Sequence, residues 1–204
     1  MAGPLTAGLR GAASGSLNGV SSSAIYGGNI GQGAWQGAAY GAGTAELFWA
    51  KNTHTTEKFL NNNVKWDSSV GSADKAKYVQ AIREGGQSPV GQKMMGEYRQ
   101  SGNSLTIHTE PLDSNGLANA HGWAGNISLN SNIDAYRAVS AHVHPGNQMK
   151  TIDLATIMMH EMGHGLPSGA MTDPSNVTYH ENPYRSWIGS PARSMYSDLS
   201  VPRR

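Results

Sequence analysis

His160-Glu161-Met162-Gly163-His164 matches the pattern H-E-x-x-H. On a helix, residues i and i+4 stand on one face, so both imidazoles can reach a single metal ion. Glu161 projects beside that face, where it can take a proton from an activated water without being a ligand itself. Paired imidazole nitrogens suit zinc better than Mg²⁺ or Ca²⁺, so Zn²⁺ is the expected cofactor. With 8 His and 7 Glu in 204 residues, chance supplies roughly 0.01 such matches.

Two histidines fall short of the three protein ligands that usually leave one position of a catalytic zinc open. The elongated motif, with a third His six residues on, is absent, because Pro167 and Ala170 stand where its Gly and His would be. Asp173, His180 and Glu181 are the downstream candidates. Glu181 is favoured: it and Arg185 are i and i+4, so a helix would present a carboxylate with a guanidinium on the same face. Pro183 lies between them and is comfortable only in a helix's first turn. His142-Val143-His144 would place two rings on one face of a strand. It reads as a polar strand edge near the cleft rather than an accessory metal site. His108 and His121 have no supporting partner in the sequence.

The elements that must position these groups are also legible. Thr151 to His164 reads as a helix capped by Thr151, with Leu154, Ile157 and Met158 as the buried side opposite the histidines. Ser72 to Glu84 reads as a helix with Ala76, Val79 and Ile82 as its stripe and Gly85-Gly86 as its stop. Ser88-Pro89 opens another, with Met94, Met95 and Tyr98 inward and Gly102 as terminator. Ser104–Thr109, Gly125–Asn130 and Val139–His144 alternate like strands. Ile127–Asn130 is the expected edge strand, on which an extended substrate would pair. Helices, then short strands, then a helix carrying the chemistry make an α+β pattern.

Composition narrows the function further. The chain has no cysteine, which excludes disulfide scaffolds, Cys-ligated zinc, iron–sulfur sites and thiol nucleophiles. Its net charge of +1 offers no electrostatic reason to expect nucleic acid or an anionic membrane as partner. Residues 1–45 hold 12 Gly, 10 Ala and a single charge, Arg10, and read as a lead-in or linker. The domain with the chemistry is expected at 46–204. Gly33, Gly37 and Gly41 would line one face of a helix. Gln32, Gln36 and a mean hydropathy of −0.45 argue against a stable membrane span or pore. Met1–Arg10 lacks the basic-then-apolar order of a secretory signal.

The H-E-x-x-H helix is followed by Glu181-Asn182-Pro183-Tyr184-Arg185 and by Gly189-Ser190-Pro191-Ala192-Arg193-Ser194-Met195-Tyr196. Together these resemble the effector-type zinc metallopeptidases. That family includes the NleD-like type III secretion effectors and the toxin domains at the C-termini of Rhs-type polymorphic toxins. The resemblance covers about residues 104–196, and the Gly/Ala-rich lead-in is similar to what often precedes such domains. It implies a minimal zincin-like, gluzincin-type fold with Glu181 as third zinc ligand beside His160 and His164. It places Arg185 and Tyr196 near the metal, supporting it or stabilising an oxyanion. Apart from the resemblance, His180 is a third candidate for the oxyanion donor, after Arg185 and Tyr196. It also implies delivery into a target cell by a specialised secretion system, a protein substrate there, and a cognate immunity protein. The expected function is therefore a secreted effector or toxin endopeptidase with Glu161 as general base and acid. The rival expectations are a zinc amidase acting on peptidoglycan and a non-catalytic domain whose zinc is structural, closed by His180 or Asp173.

Overall fold

The computed structural model describes the backbone of residues 12–13, 30–110, 118–121, 126–130, 140–143, 148–166 and 173–194, and the side chains of 12–13, 41–110, 127–129, 152–166 and 174–194. The elements in chain order are α1 (Ile30–Asn62), β1 (Val64–Trp66), α2 (Ser72–Gly85), α3 (Pro89–Ser101), β2 (Leu105–Glu110), β3 (Ala118–His121), β4 (Asn126–Asn130), β5 (Ser140–Val143) and β6 (Gln148–Thr151). Then come α4 (Leu154–His164), α5 (Asp173–Asn176), a π-helical turn (Val177–Glu181) and α6 (Asn182–Trp187). Helices and a small mixed sheet make an α+β chain. It divides into two compact units, Met1–His54 and Thr55–Arg204. The composition boundary at 45/46 falls inside α1, so residues 30–45 of the expected lead-in are helical. Within the first unit Thr44 Oγ1 donates to Gly41 O, and Leu47 and Phe48 are exposed. Among the described residues no helix is long and apolar enough to cross a membrane.

The second unit is built on a sheet of order β1-β2-β4-β3. β1 and β4 run parallel to β2, and β3 runs antiparallel to β4. Alternation along β2 and β4 turns Leu105, Ile107, Ile127 and Leu129 to one face, where all four are fully buried. Strand β4 is paired on both sides, so the edge expected at Ile127–Asn130 belongs instead to β3. The short β1 was not visible in the sequence, since three residues (Val64-Lys65-Trp66) are too few to show a period. A separate antiparallel pair, β5 with β6, leads into α4.

Helices α2, α3 and α4 share one core cluster with the apolar strand face. Helix α3 obeys its local signals. Ser88 Oγ accepts from Gly91 N at 3.0 Å, Pro89 starts the helix, and Gly102 ends it at φ 71° in the left-handed region. Met94, Met95 and Tyr98 are its buried side, and Tyr98 Oη donates to Met162 O of α4 at 3.1 Å. Helix α2 differs in phase from the expectation. Its buried residues are Tyr78, Ala81, Ile82 and Gly85, while Ala76 is exposed and Val79 half-buried. The tyrosine ring supplies more apolar area than the alanine and valine it displaces from the inner face. Gly85 allows α2 to approach α4, since a Cβ there would collide with the Met159 side chain.

Candidate metal centre

Helix α4 begins later than the sequence suggested. Thr151 is the last residue of β6, and Asp153 is the cap, its Oδ1 accepting from Thr156 N at 2.6 Å. A carboxylate at this position satisfies an orphan amide and favours the helix's positive end. Every residue from Ala155 to Gly163 is buried, so the helix is apolar-packed around its circumference rather than along the one expected side. His160 is 5% exposed and Glu161 9%. The polar groups of the motif therefore sit in a largely desolvated place, where unmet hydrogen bonds are costly.

The i, i+4 spacing brings His160 and His164 together with ring centroids 5.0 Å apart and planes at 70°. Their Nε2 atoms are 3.2 Å apart. On the other side of the His160 ring, Nδ1 lies 3.0 Å from Glu181 Oε2. An ionised carboxylate only accepts, so Nδ1 carries the hydrogen, and in a neutral ring Nε2 is then the nitrogen left with a lone pair. Two nitrogens bound to one tetrahedral zinc at 2.0–2.1 Å stand about 3.3 Å apart. The donor chemistry and the spacing of the pair thus fit zinc. Among the described residues no group of three His, Asp or Glu side chains is arranged to hold a metal ion.

Glu181 is brought to the site as expected, but to the nitrogen of His160 that faces away from His164. There a carboxylate fixes the tautomer and orientation of a ligand imidazole and raises its basicity. That differs from the direct ligand role drawn from the resemblance. Burial opposes ionisation of Glu181, but the hydrogen bond with His160 and the charge of Arg193 outweigh it and hold its carboxyl below the usual range.

The placement of Glu181 follows from Pro183. Proline has no N–H for the carbonyl four residues back, and its ring would collide with that carbonyl in an α-helix. The chain widens immediately before it into the π turn, where Asn182 N donates to Val177 O, five residues back. Pro183 itself sits in the first turn of α6, where it is tolerated. Buried positions then recur at 176, 177, 180, 181, 184 and 185, a period of four rather than 3.6. The wider turn keeps His180 and Glu181 inward together with Tyr184 and Arg185.

Two further contacts tie this segment to α4. Asn176 Nδ2 donates to the backbone carbonyl of His160. Gly163 leaves room for the approach: a Cβ there would overlap the Asn176 amide and lie 2.6 Å from His180 Cδ2. His180 is 4% exposed, and among the described residues its ring nitrogens have no hydrogen-bond partner. Burial, reinforced by Lys93, His160 and His164 against the opposing charge of Glu97, pushes its pKa down to about 4. At neutral pH it is uncharged.

Arg185, expected near the reacting groups, is 2% exposed. Its Nε donates to Pro191 O at 2.7 Å and its Nη1 is 3.7 Å from Glu181 Oε1. This sets its guanidinium against Glu181, the carboxylate that faces His160. Arg193 and Asn176 were not singled out as site residues in the sequence. Arg193 Nη1 donates to Glu181 Oε2 at 3.0 Å, and Arg193 is as buried as His180. Its position in Gly189–Tyr196 carries the resemblance, but no local period links it to a carboxylate twelve residues earlier. His108, read as unpartnered, lies 3.6 Å from Asp67 and is half-exposed. Tyr196 and His144, and the side chains of His121, His142 and Asp173, lie outside the described residues.

Comparison with protein-family models, curated proteins and solved structures finds no match to this chain.

Proposed function

We propose that this chain is a zinc-dependent hydrolase of the H-E-x-x-H type, and within that class an endopeptidase. The observation that carries the reading is the His160–His164 pair, its Nε2 atoms 3.2 Å apart and the far nitrogen of His160 held by Glu181. Zinc, when bound there, supplies a Lewis acid and a means of activating water near neutral pH. His160 and His164 would be two of its ligands, and among the described residues no third donor stands with them. Glu181 keeps His160 in the tautomer that presents Nε2. Glu161, one residue along the same helix, takes the proton of the attacking water and returns it to the leaving amine. Strand β3, the antiparallel sheet edge, offers backbone groups on which an extended peptide could pair. The choice of a target-cell protein as substrate, of delivery by a secretion system and of a zincin-like fold rests on the motif resemblance.

Elemental mass spectrometry of the purified chain tests the metal, and protein turnover tests the reaction. About one zinc per wild-type chain is expected, with a large loss in His164→Ala. Glu161→Gln is expected to keep the zinc while turnover falls by about 10²–10⁴. No zinc in the wild type after supplementation sinks the metal reading. Undiminished turnover in Glu161→Gln, with contaminating protease excluded, sinks the mechanism.

A further inference from the structure

The segment after α6 returns to the helix it has just left. Asn182 clips it through both ends of its amide: Nδ2 donates to Arg193 O at 3.1 Å, and Oδ1 accepts from Arg193 N at 2.7 Å. A side-chain amide paired in this way with one residue's backbone fixes that residue much as a strand partner would. Arg185 holds the same segment two residues earlier, at Pro191 O. The strap so formed carries Arg193 inward until the residue is 4% exposed and its guanidinium is bonded to Glu181 Oε2. That same oxygen faces His160 Nδ1. The arrangement is a chain of contacts, strap to Arg193 to Glu181 to His160, ending on the nitrogen opposite the one that faces His164.

We infer that Arg193 is a positioning residue for His160. By holding Glu181 Oε2 against Nδ1, it sets the tautomer and aim of the His160 ring, and docking of residues 191–194 thereby fixes which nitrogen His160 would present to a metal. This rests on reading His160 and His164 as a metal pair. Glu181 already has Arg185 near its other oxygen, but at 3.7 Å, beyond hydrogen-bond reach. Among the described residues Oε1 has no hydrogen-bond partner, and the short charged bond to this carboxylate comes from Arg193.

The test uses the full chain with ¹⁵N-labelled histidine, first metal-free and then titrated with zinc against a chromophoric chelator. In the metal-free wild type the His160 ring nitrogens are expected to report a single Nδ1–H tautomer. Arg193→Ala is expected to give a mixture of tautomers and to weaken zinc binding by about 10- to 100-fold. Arg193→Lys keeps the charge without the planar donor pair and is expected to fall between. A folded Arg193→Ala chain with the wild-type tautomer and zinc affinity overturns the inference. If the alanine variant does not fold, wild-type values in the lysine variant overturn it equally. In a Glu181→Gln background, removing Arg193 is expected to have little further effect on His160, and full additivity of the two changes also refutes it. If the wild type itself takes up no zinc, the metal reading fails, and the metal-free histidine resonances alone decide the role of Arg193.

Discussion

Gly163 is the residue whose replacement most directly tests how the site is assembled. By helix propensity alone, Gly163→Ala stabilises α4 by about 1 kcal/mol. The structure predicts the reverse. The new Cβ would overlap the Asn176 amide and stand 2.6 Å from His180 Cδ2, and both neighbours are buried. Overpacking of this kind costs about 1–3 kcal/mol. Moving Asn176 aside also breaks its bond to the His160 carbonyl, at about 1 kcal/mol more. The net is a loss of about 1–3 kcal/mol, or a Tm lower by about 2–12 °C for a chain of this size. Gly96 is the control, since a Cβ there meets nothing within 4 Å and Gly96→Ala is expected to stabilise α3 by up to about 1 kcal/mol. Urea unfolding followed by far-UV circular dichroism reads both. Because the π turn that carries Glu181 must give way, Gly163→Ala is also expected to weaken zinc binding, whereas Gly96→Ala is not. A Gly163→Ala chain as stable as Gly96→Ala would refute the close approach of the π turn to α4.

Glu181 and His180 yield further expectations. With Glu181 on His160 Nδ1, Glu181→Gln is expected to lower zinc affinity by about 10- to 100-fold; complete loss of zinc would show instead that the carboxylate is a direct ligand. Glu181→Ala leaves the buried Arg185 and Arg193 without their shared carboxylate and is expected to cost about 3–5 kcal/mol in a denaturation experiment. For His180 the unfolded ring takes a proton near 6.5, while the folded ring resists until about 4. Stability is therefore full above about pH 6.5 and is lost as pH falls towards 4, by up to about 3 kcal/mol. Urea midpoints at several pH values should show this slope, and His180→Leu should flatten it; an unchanged slope in that variant would assign the acid sensitivity elsewhere.

Much of the frame is local chemistry, and that part was legible. Ser88, Pro89 and Gly102 mark the ends of α3 because a cap, a fixed φ and a left-handed residue act within one turn of themselves. Leu105 with Ile107, and Ile127 with Leu129, announce two strands because alternation is a property of the extended chain. His160 and His164 meet because four residues make slightly more than one helical turn. The H-E-x-x-H spacing by itself therefore determined that two imidazoles share a face.

What surrounds that pair was decided by packing between segments distant in sequence. The inner face of α2 turned on where the bulk of Tyr78 could be buried, and the edge of the sheet on β3 pairing outside β4. Pro183 announced a helix start but not the π turn behind it, which aims Glu181 at the far nitrogen of His160. Gly163 is unfavourable in a helix by propensity, and only the packing of Asn176 and His180 against it shows why no Cβ fits there. Arg193 carries no periodic signal at all, because its role depends on a strap folding back across α6. Spacing along one helix determines which donors stand side by side; only the packing of one segment on another decides which nitrogen each donor presents and what holds it there.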